Sequence, residues 1–178
     1  MKEQIKRERK EKDVFFEKHP QSPIPVEKRK NFEGLNYYPI NSEFRFELKL
    51  YEYDDKEEIN VEDSKGGQKR YIRWGRFIFE INGKEYSLNA YKSSREEEML
   101  WVPFKDKPNG KETYGAGRYI DLEPSENRKN GKWILDFNEA YNPFCAYNEG
   151  YVCPFIPPEN WLEVDIKAGE KIPDKEED

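Results

Sequence analysis

The sequence predicts a mainly β domain, an antiparallel meander closing into a barrel or half-barrel, with one helix at its N-terminus. Three observations carry this. About seven or eight stretches alternate apolar and polar residues or run apolar for a few positions, with turn residues between neighbours. Asn82-Gly83 sits midway between two long alternating runs. Only one stretch, at the start, reads as a helix. The 178 residues, 35% of them hydrophobic and 15% aromatic, are read as a single domain spanning 1–178 with room for a core. A disordered chain would lack those aromatics.

Met1–His19 alternates charges with Glu3–Arg7 and Glu8–Lys12 at i,i+4 spacing, which predicts a helix ending before Pro20. Only Ile5, Val14, Phe15 and Phe16 are apolar. Met1–Lys12 is therefore expected to be a charged, frayed extension, with the last turn docking through Phe15 or Phe16. Phe44, Phe46, Leu48 and Leu50 then alternate with Arg45, Glu47 and Lys49, a half-buried strand whose phase blurs at Tyr51–Tyr53. Asp54–Lys69 reads as a mobile charged loop.

Tyr71–Ile81 and Lys84–Tyr91 form a hairpin around Asn82-Gly83, because a type I′ turn needs positive φ at both central residues. That turn pairs Phe79 with Tyr86, Phe77 with Leu88 and Gly75 with Ala90, all on one face. Gly75 marks where the apolar phase flips from Ile72 and Trp74, which fits a bulge or a barrel corner. Met99–Phe104 is a strand whose Pro103 implies an edge or bulge. Arg118–Leu122 and Lys132–Phe137 are strands, Tyr141–Asn160 is irregular, Trp161–Ile166 is a last short strand, and Pro173–Asp178 is an acidic tail.

Lys and Arg number 31 against 37 Asp and Glu, for a net charge of −6. This mixed, mildly acidic surface argues against nucleic acid as a partner. No apolar run approaches the roughly 20 residues that span a bilayer, so no membrane partner is expected. The charged start contains no signal-peptide core, and a cytoplasmic location is expected. With His19 as the single histidine, serine triads, His–Cys catalysis and histidine-rich metal centres lack their parts. No motif implies a cofactor or a metal.

Two runs concentrate groups able to bind a ligand. Thr113–Tyr119 (TYGAGRY) offers Tyr114, the Gly115 and Gly117 backbone, and Arg118. It lacks the third glycine and the βαβ setting of a dinucleotide fingerprint, and the lysine of a P-loop. Its simplest reading is a sharp bend into a strand; its functional reading is a backbone nest for an anion beside Arg118. Arg118 shares its phase with Ile120 and Leu122 and so points inward, where a charge needs a partner. Asp136, in phase with Ile134 and Asn138, is the expected brace; a small anionic ligand is the other candidate. Asp136–Tyr147 (DFNEAYNPFCAY) adds Asn138, Tyr141 and Asn142. The leading expectation is a small-molecule binding protein using these residues. An enzyme with Asp136 as acid or base, aided by Arg118 and Tyr141, is the second, and a structural or interaction module the third. Cys145 and Cys153 allow either a disulfide or two buried thiols, and a zinc site is poorly served.

Ser22-Pro23, Phe32-x-Gly34-Leu35-x-Tyr37-Tyr38-Pro39, Phe104-x-Asp106, the two runs above, Cys153-Pro154 and Ala168-Gly169-Glu170 together resemble domain of unknown function family 1684, bacterial and archaeal proteins without an assigned reaction. The resemblance runs from about Phe15 to Glu170 and implies one intact domain organised around the same two runs. It implies no cofactor and no catalytic residue.

Overall fold

The computed structural model describes residues 1–173; the tail expected over Pro173–Asp178 lies outside them beyond Pro173. Strands β1 (Arg45–Leu48), β2 (Tyr51–Glu52), β3 (Glu58–Glu62), β4 (Gln68–Ile81), β5 (Lys84–Lys92), β6 (Leu100–Phe104), β7 (Arg118–Leu122), β8 (Arg128–Lys129) and β9 (Lys132–Asp136) accompany helix α1 (Lys2–Lys18) and the single turn α2 (Pro124–Asn127). They build two antiparallel sheets. The larger runs β2-β4-β5-β6-β7 with β3 also on β4, and the smaller runs β1-β9-β8.

Neither sheet closes on itself, so the expected barrel is corrected to two open sheets. The alternation through Phe44–Leu50 belongs to one strand, yet its neighbour is β9 rather than β4. The chain bends at Lys49–Leu50, and β2 resumes against Gly75 and Arg76 of β4. A Cβ on Gly75 would stand 2.9 Å from both Leu50 Cδ1 and the Tyr51 carbonyl, so the glycine admits this corner.

The β4–β5 hairpin has the register that its turn dictates. Phe79 pairs with Tyr86, Phe77 with Leu88 and Gly75 with Ala90, with the shift at Arg73–Gly75. Asn82 and Gly83 both take positive φ, 51° and 78°. Phe77, Phe79, Leu88, Leu100, Val102, Phe104, Ile120 and Leu122 then pack against Trp133, Leu135 and Phe137 in the main core between the sheets. Each such side chain contributes on the order of 1.5–3 kcal/mol. A second cluster of Val61, Tyr71, Tyr91, Trp101, Tyr119 and Ile156 uses the alternate positions on the opposite face.

Three further expectations change. Glu58–Glu62 in the expected loop is a strand, pairing along β4 from Ile72 to Gln68. Trp161–Ile166 is a strap instead of a strand: Leu162 N–H donates to Lys105 O and Lys107 N–H to Val164 O without a continuous ladder. Pro103 lies on a central strand, not an edge. Its β5 neighbour is reached only at Tyr91–Trp101. Beyond that point the Asn160 amide fills the gap: Nδ2 donates to Asn89 O (2.9 Å) and Pro103 O (2.7 Å), and Oδ1 accepts from Asn89 N–H (2.9 Å). Asn160 is 0% exposed and substitutes for the ladder that proline cannot continue.

Helix α1 docks along its length, not by its last turn alone. Ile5 is 4% and Phe16 1% exposed. Phe16 meets Phe144 and Tyr147 edge-on at 5.9 and 5.1 Å. Between them Arg9 donates to Tyr38 O (3.1 Å) and Asn138 O (3.2 Å), and Lys12 donates to Glu170 Oε2 at 2.8 Å. Residues 5, 9, 12 and 16 share one helical face. Two cations on that face satisfy acceptors of the domain, which is how so polar a helix is held.

Candidate functional site

The residue on which the sequence reading turned is a structural node. Arg118 points inward and is 0% exposed, but its partner is Asp106, not Asp136. The β6–β7 register sets Arg118 opposite Phe104, and the chain leaving β6 carries Asp106 to it. The guanidinium donates to Asp106 Oδ2 (3.2 Å), Ile166 O (2.9 Å), Glu170 O (3.2 Å) and Ala168 O. Asp106 Oδ2 also accepts from Ile166 N–H at 2.9 Å. Burial pushes the Asp106 carboxyl up, and the Arg118 charge and that N–H pull it back. Four protein acceptors occupy the guanidinium, which lines none of the cavities described here.

The glycine bend serves packing. Gly117 has φ +98°, and a Cβ there would lie 2.0 Å from Ile156 Cδ1 and 2.8 Å from Phe104 O. Gly115 is exposed. Tyr114 directs its hydroxyl to Cys145 Sγ at 3.7 Å, and both cysteines are free thiols.

Asp136 caps the turn that follows β9. Its Oδ1 accepts from Asn138 N–H (2.9 Å) and Nδ2 (2.8 Å), and Arg45 Nε lies 3.9 Å from Oδ2. At 3% exposure and so held, it has no open face for acid–base work. Asn138 also pairs with Asn41 through both backbone groups, N–H to Oδ1 at 2.9 Å and Nδ2 to O at 2.8 Å. Asn142 is buried and clamps the strap: its Nδ2 donates to Lys171 O at 2.9 Å and Glu170 Oε1 at 3.3 Å. These amides fix the segment against the smaller sheet and the C-terminal strap.

Two predicted residues do meet at a cavity. A cleft of about 230 Å³ between α1 and the 138–141 segment is lined by Arg9, Lys12, Tyr37, Asp121, Asn138, Glu139, Tyr141 and Glu170, with Gln4, Ile5, Glu8, Glu126, Asn127 and Ala140 around them. Tyr141 is placed by its mutual backbone pairing with Tyr119 at 2.9 Å, and its hydroxyl donates to Asp121 Oδ2 at 2.6 Å. The Arg9 guanidinium lies 4.2 Å from the centre of the Tyr37 ring. Lys12 lies 5.2 Å from the centre of the Tyr141 ring while bonding Glu170. A wider groove of about 570 Å³ beside β3 is lined largely by Ile59, Val61, Phe155, Ile156, Pro157, Pro158 and Trp161, and receives neither predicted run.

Glu139 is a half-buried, unpaired acid of the cleft. It makes no hydrogen bond or ion pair among the described residues. Burial first, then the carboxylates of Asp136, Glu8 and Glu126, push its carboxyl from 4.5 to about 7, against a pull from Arg45. Because the folded state holds the proton more tightly than the unfolded chain, Glu139 weakens the fold progressively as pH rises from 4.5 towards 7. Glu139→Gln is therefore expected to leave stability unchanged near the acid end and to raise it by roughly 1–3 kcal/mol above neutrality. Urea melts of both proteins across that pH range measure the difference; a constant offset at all pH would contradict it. The residues that sequence reasoning passed over are Arg9, Lys12, Tyr37, Asp121, Glu139 and Glu170. The stripe at 5, 9, 12 and 16 was the available signal for the first two, and Glu139 stands inside a run already singled out.

With this geometry in place, residues 30–171 match the family described as "Protein of unknown function (DUF1684)". The chain belongs to that family. The domain is also similar to the solution NMR structure of an uncharacterised protein from Haloarcula marismortui: 39% identity, TM-score 0.72, covering 96% of this chain and 93% of that one. The comparison with curated proteins finds no match. Among the described residues no helix is long and apolar enough to cross a membrane, and no group of three His, Cys, Asp or Glu is placed to hold a metal ion.

Proposed function

We propose that this domain binds a small polar cation, an amine in chemical class, in the cleft beneath α1. The observation that carries the reading is Glu139: a half-buried, unpaired carboxyl in a concave wall, titrating near neutrality. The charge balance supports a cation over the anion suggested by the glycine run. Glu8, Asp121, Glu126, Glu139 and Glu170 face Arg9 and Lys12, and both of those cations already hold protein acceptors. An ammonium group would ion-pair with Glu139 and lie against the Tyr37 and Tyr141 rings. In this reading Asn138 and Tyr141 line the cleft, and Arg118 acts from behind it by holding the Glu170 carbonyl. Saturation-transfer NMR with putrescine and spermidine tests this. Transfer to the protein is expected, weakened at least about tenfold in affinity by Glu139→Gln, the loss of one charge-assisted contact. Absence of transfer, or transfer that Glu139→Gln leaves unchanged, would overturn the proposal.

A second reading draws on the same titration. A carboxyl near pH 7 suits general acid–base work, and Tyr141, its hydroxyl held by Asp121, would orient the substrate. Turnover of a bound amine-bearing compound with a pH profile that Glu139→Gln abolishes would select it.

A further inference from the structure

We infer that Cys145 and Cys153 form a redox-active dithiol that exchanges with small-molecule disulfides of the glutathione class. The geometry brings the two together from different directions. Cys145 lies in the 3-10 turn Phe144–Ala146, whose Phe144 meets Phe16 of α1. Cys153 lies on the strap that adds to the β3 edge: its N–H donates to Ser64 Oγ (3.1 Å), and its carbonyl accepts from Ser64 N–H (3.0 Å). Across the junction the Cys145 N–H donates to Cys153 Sγ at 3.3 Å. Backbone contact with the opposing sulfur puts the two residues side by side, so that a bond needs only a local adjustment. The eight-residue separation passes through the exposed Glu149-Gly150, which can absorb the adjustment.

The two sulfurs differ in access, which sets the order of events. Cys145 is half-buried, with the Tyr114 hydroxyl 3.7 Å away as a donor to a thiolate. Cys153 is 7% exposed, and burial with the neighbouring thiol pushes it up to about 12. Cys145 is therefore the entry thiol. Its thiolate attacks one sulfur of the incoming disulfide, forming a mixed disulfide and releasing one small thiolate, which takes a proton from water. Cys153 then gives its proton to solvent and attacks the Cys145 sulfur, releasing the second small thiol. The two protein sulfurs lose two electrons, and the incoming disulfide is reduced to two thiols. The product ties the turn that seats α1 to the strap on β3.

Incubation of the full chain with oxidised glutathione, followed by alkylation and intact-mass spectrometry, tests the pair. The expected product is a monomer lacking two hydrogens and two alkylation sites, reversed by dithiothreitol. Its melting temperature should rise by about 5–10 °C, as closing a short loop does in a domain of this size. Cys153→Ser should accumulate the mixed disulfide at Cys145, whereas folded Cys145→Ser should remain unmodified. Two thiols that stay alkylatable, a persistent glutathione adduct on the unsubstituted chain, or chains linked to one another would each overturn the inference.

Discussion

Replacing Arg118 with methionine is expected to remove about 3–5 kcal/mol of stability, the cost of leaving a buried charge uncompensated. Methionine fills the space beside Phe104 but offers no donor, so Asp106 Oδ2 keeps only the Ile166 N–H, and the carbonyls of Ile166, Ala168 and Glu170 lose theirs. Arg118→Lys should recover part of the loss, because an ammonium is a point charge and cannot reach the spread of acceptors that a planar fork serves. Urea denaturation with an unchanged slope measures both variants. A loss under about 1 kcal/mol for Arg118→Met would show that the guanidinium is not the brace described. The same substitution should raise amide exchange over Ile166–Lys171, where those carbonyls anchor the strap.

Asn160→Ala is expected to cost about 3–5 kcal/mol, from a side chain that is fully buried. One small amide serves Asn89 N–H, Asn89 O and Pro103 O inside the larger sheet. Truncation leaves three buried backbone groups without partners at about 1–3 kcal/mol each, reduced where the strands draw together. Asn160→Asp should be no better, since a carboxylate has no donors for the two carbonyls. Thermal and urea melts read the effect. A near-neutral Asn160→Ala would mean that β5 and β6 can pair without the plug.

The β4–β5 hairpin was fully legible because its register depends on two adjacent residues and a local alternation. The inward phase of Arg118 was legible for the same reason. Its partner was not, because that depends on β6 and not β9 lying beside β7, and no local pattern encodes which strands become neighbours. The barrel expectation failed at the same level: a sequential meander would place β1 on β4, and the corner at Lys49–Leu50 instead sends β1 to β9. Glu58-Ile59-Asn60-Val61-Glu62 did alternate, but charged outer positions made an edge strand look like a loop. Asp136 capping Asn138 two residues on is an ordinary local turn habit that outweighed the catalytic reading. In the candidate site, Asn138 and Tyr141 were legible from their motif. Arg9 and Lys12 were hidden because charged residues on a helix normally read as its solvent face.

Because three of the four acceptors around Arg118 are carbonyls of residues 166–170, a nascent chain that has not yet reached them holds the Arg118–Asp106 pair between β6 and β7 without its backbone partners. Those strands reach their final packing only once residues 166–170 have been made, so completion of this domain is tied to a stretch nearly fifty residues beyond Arg118.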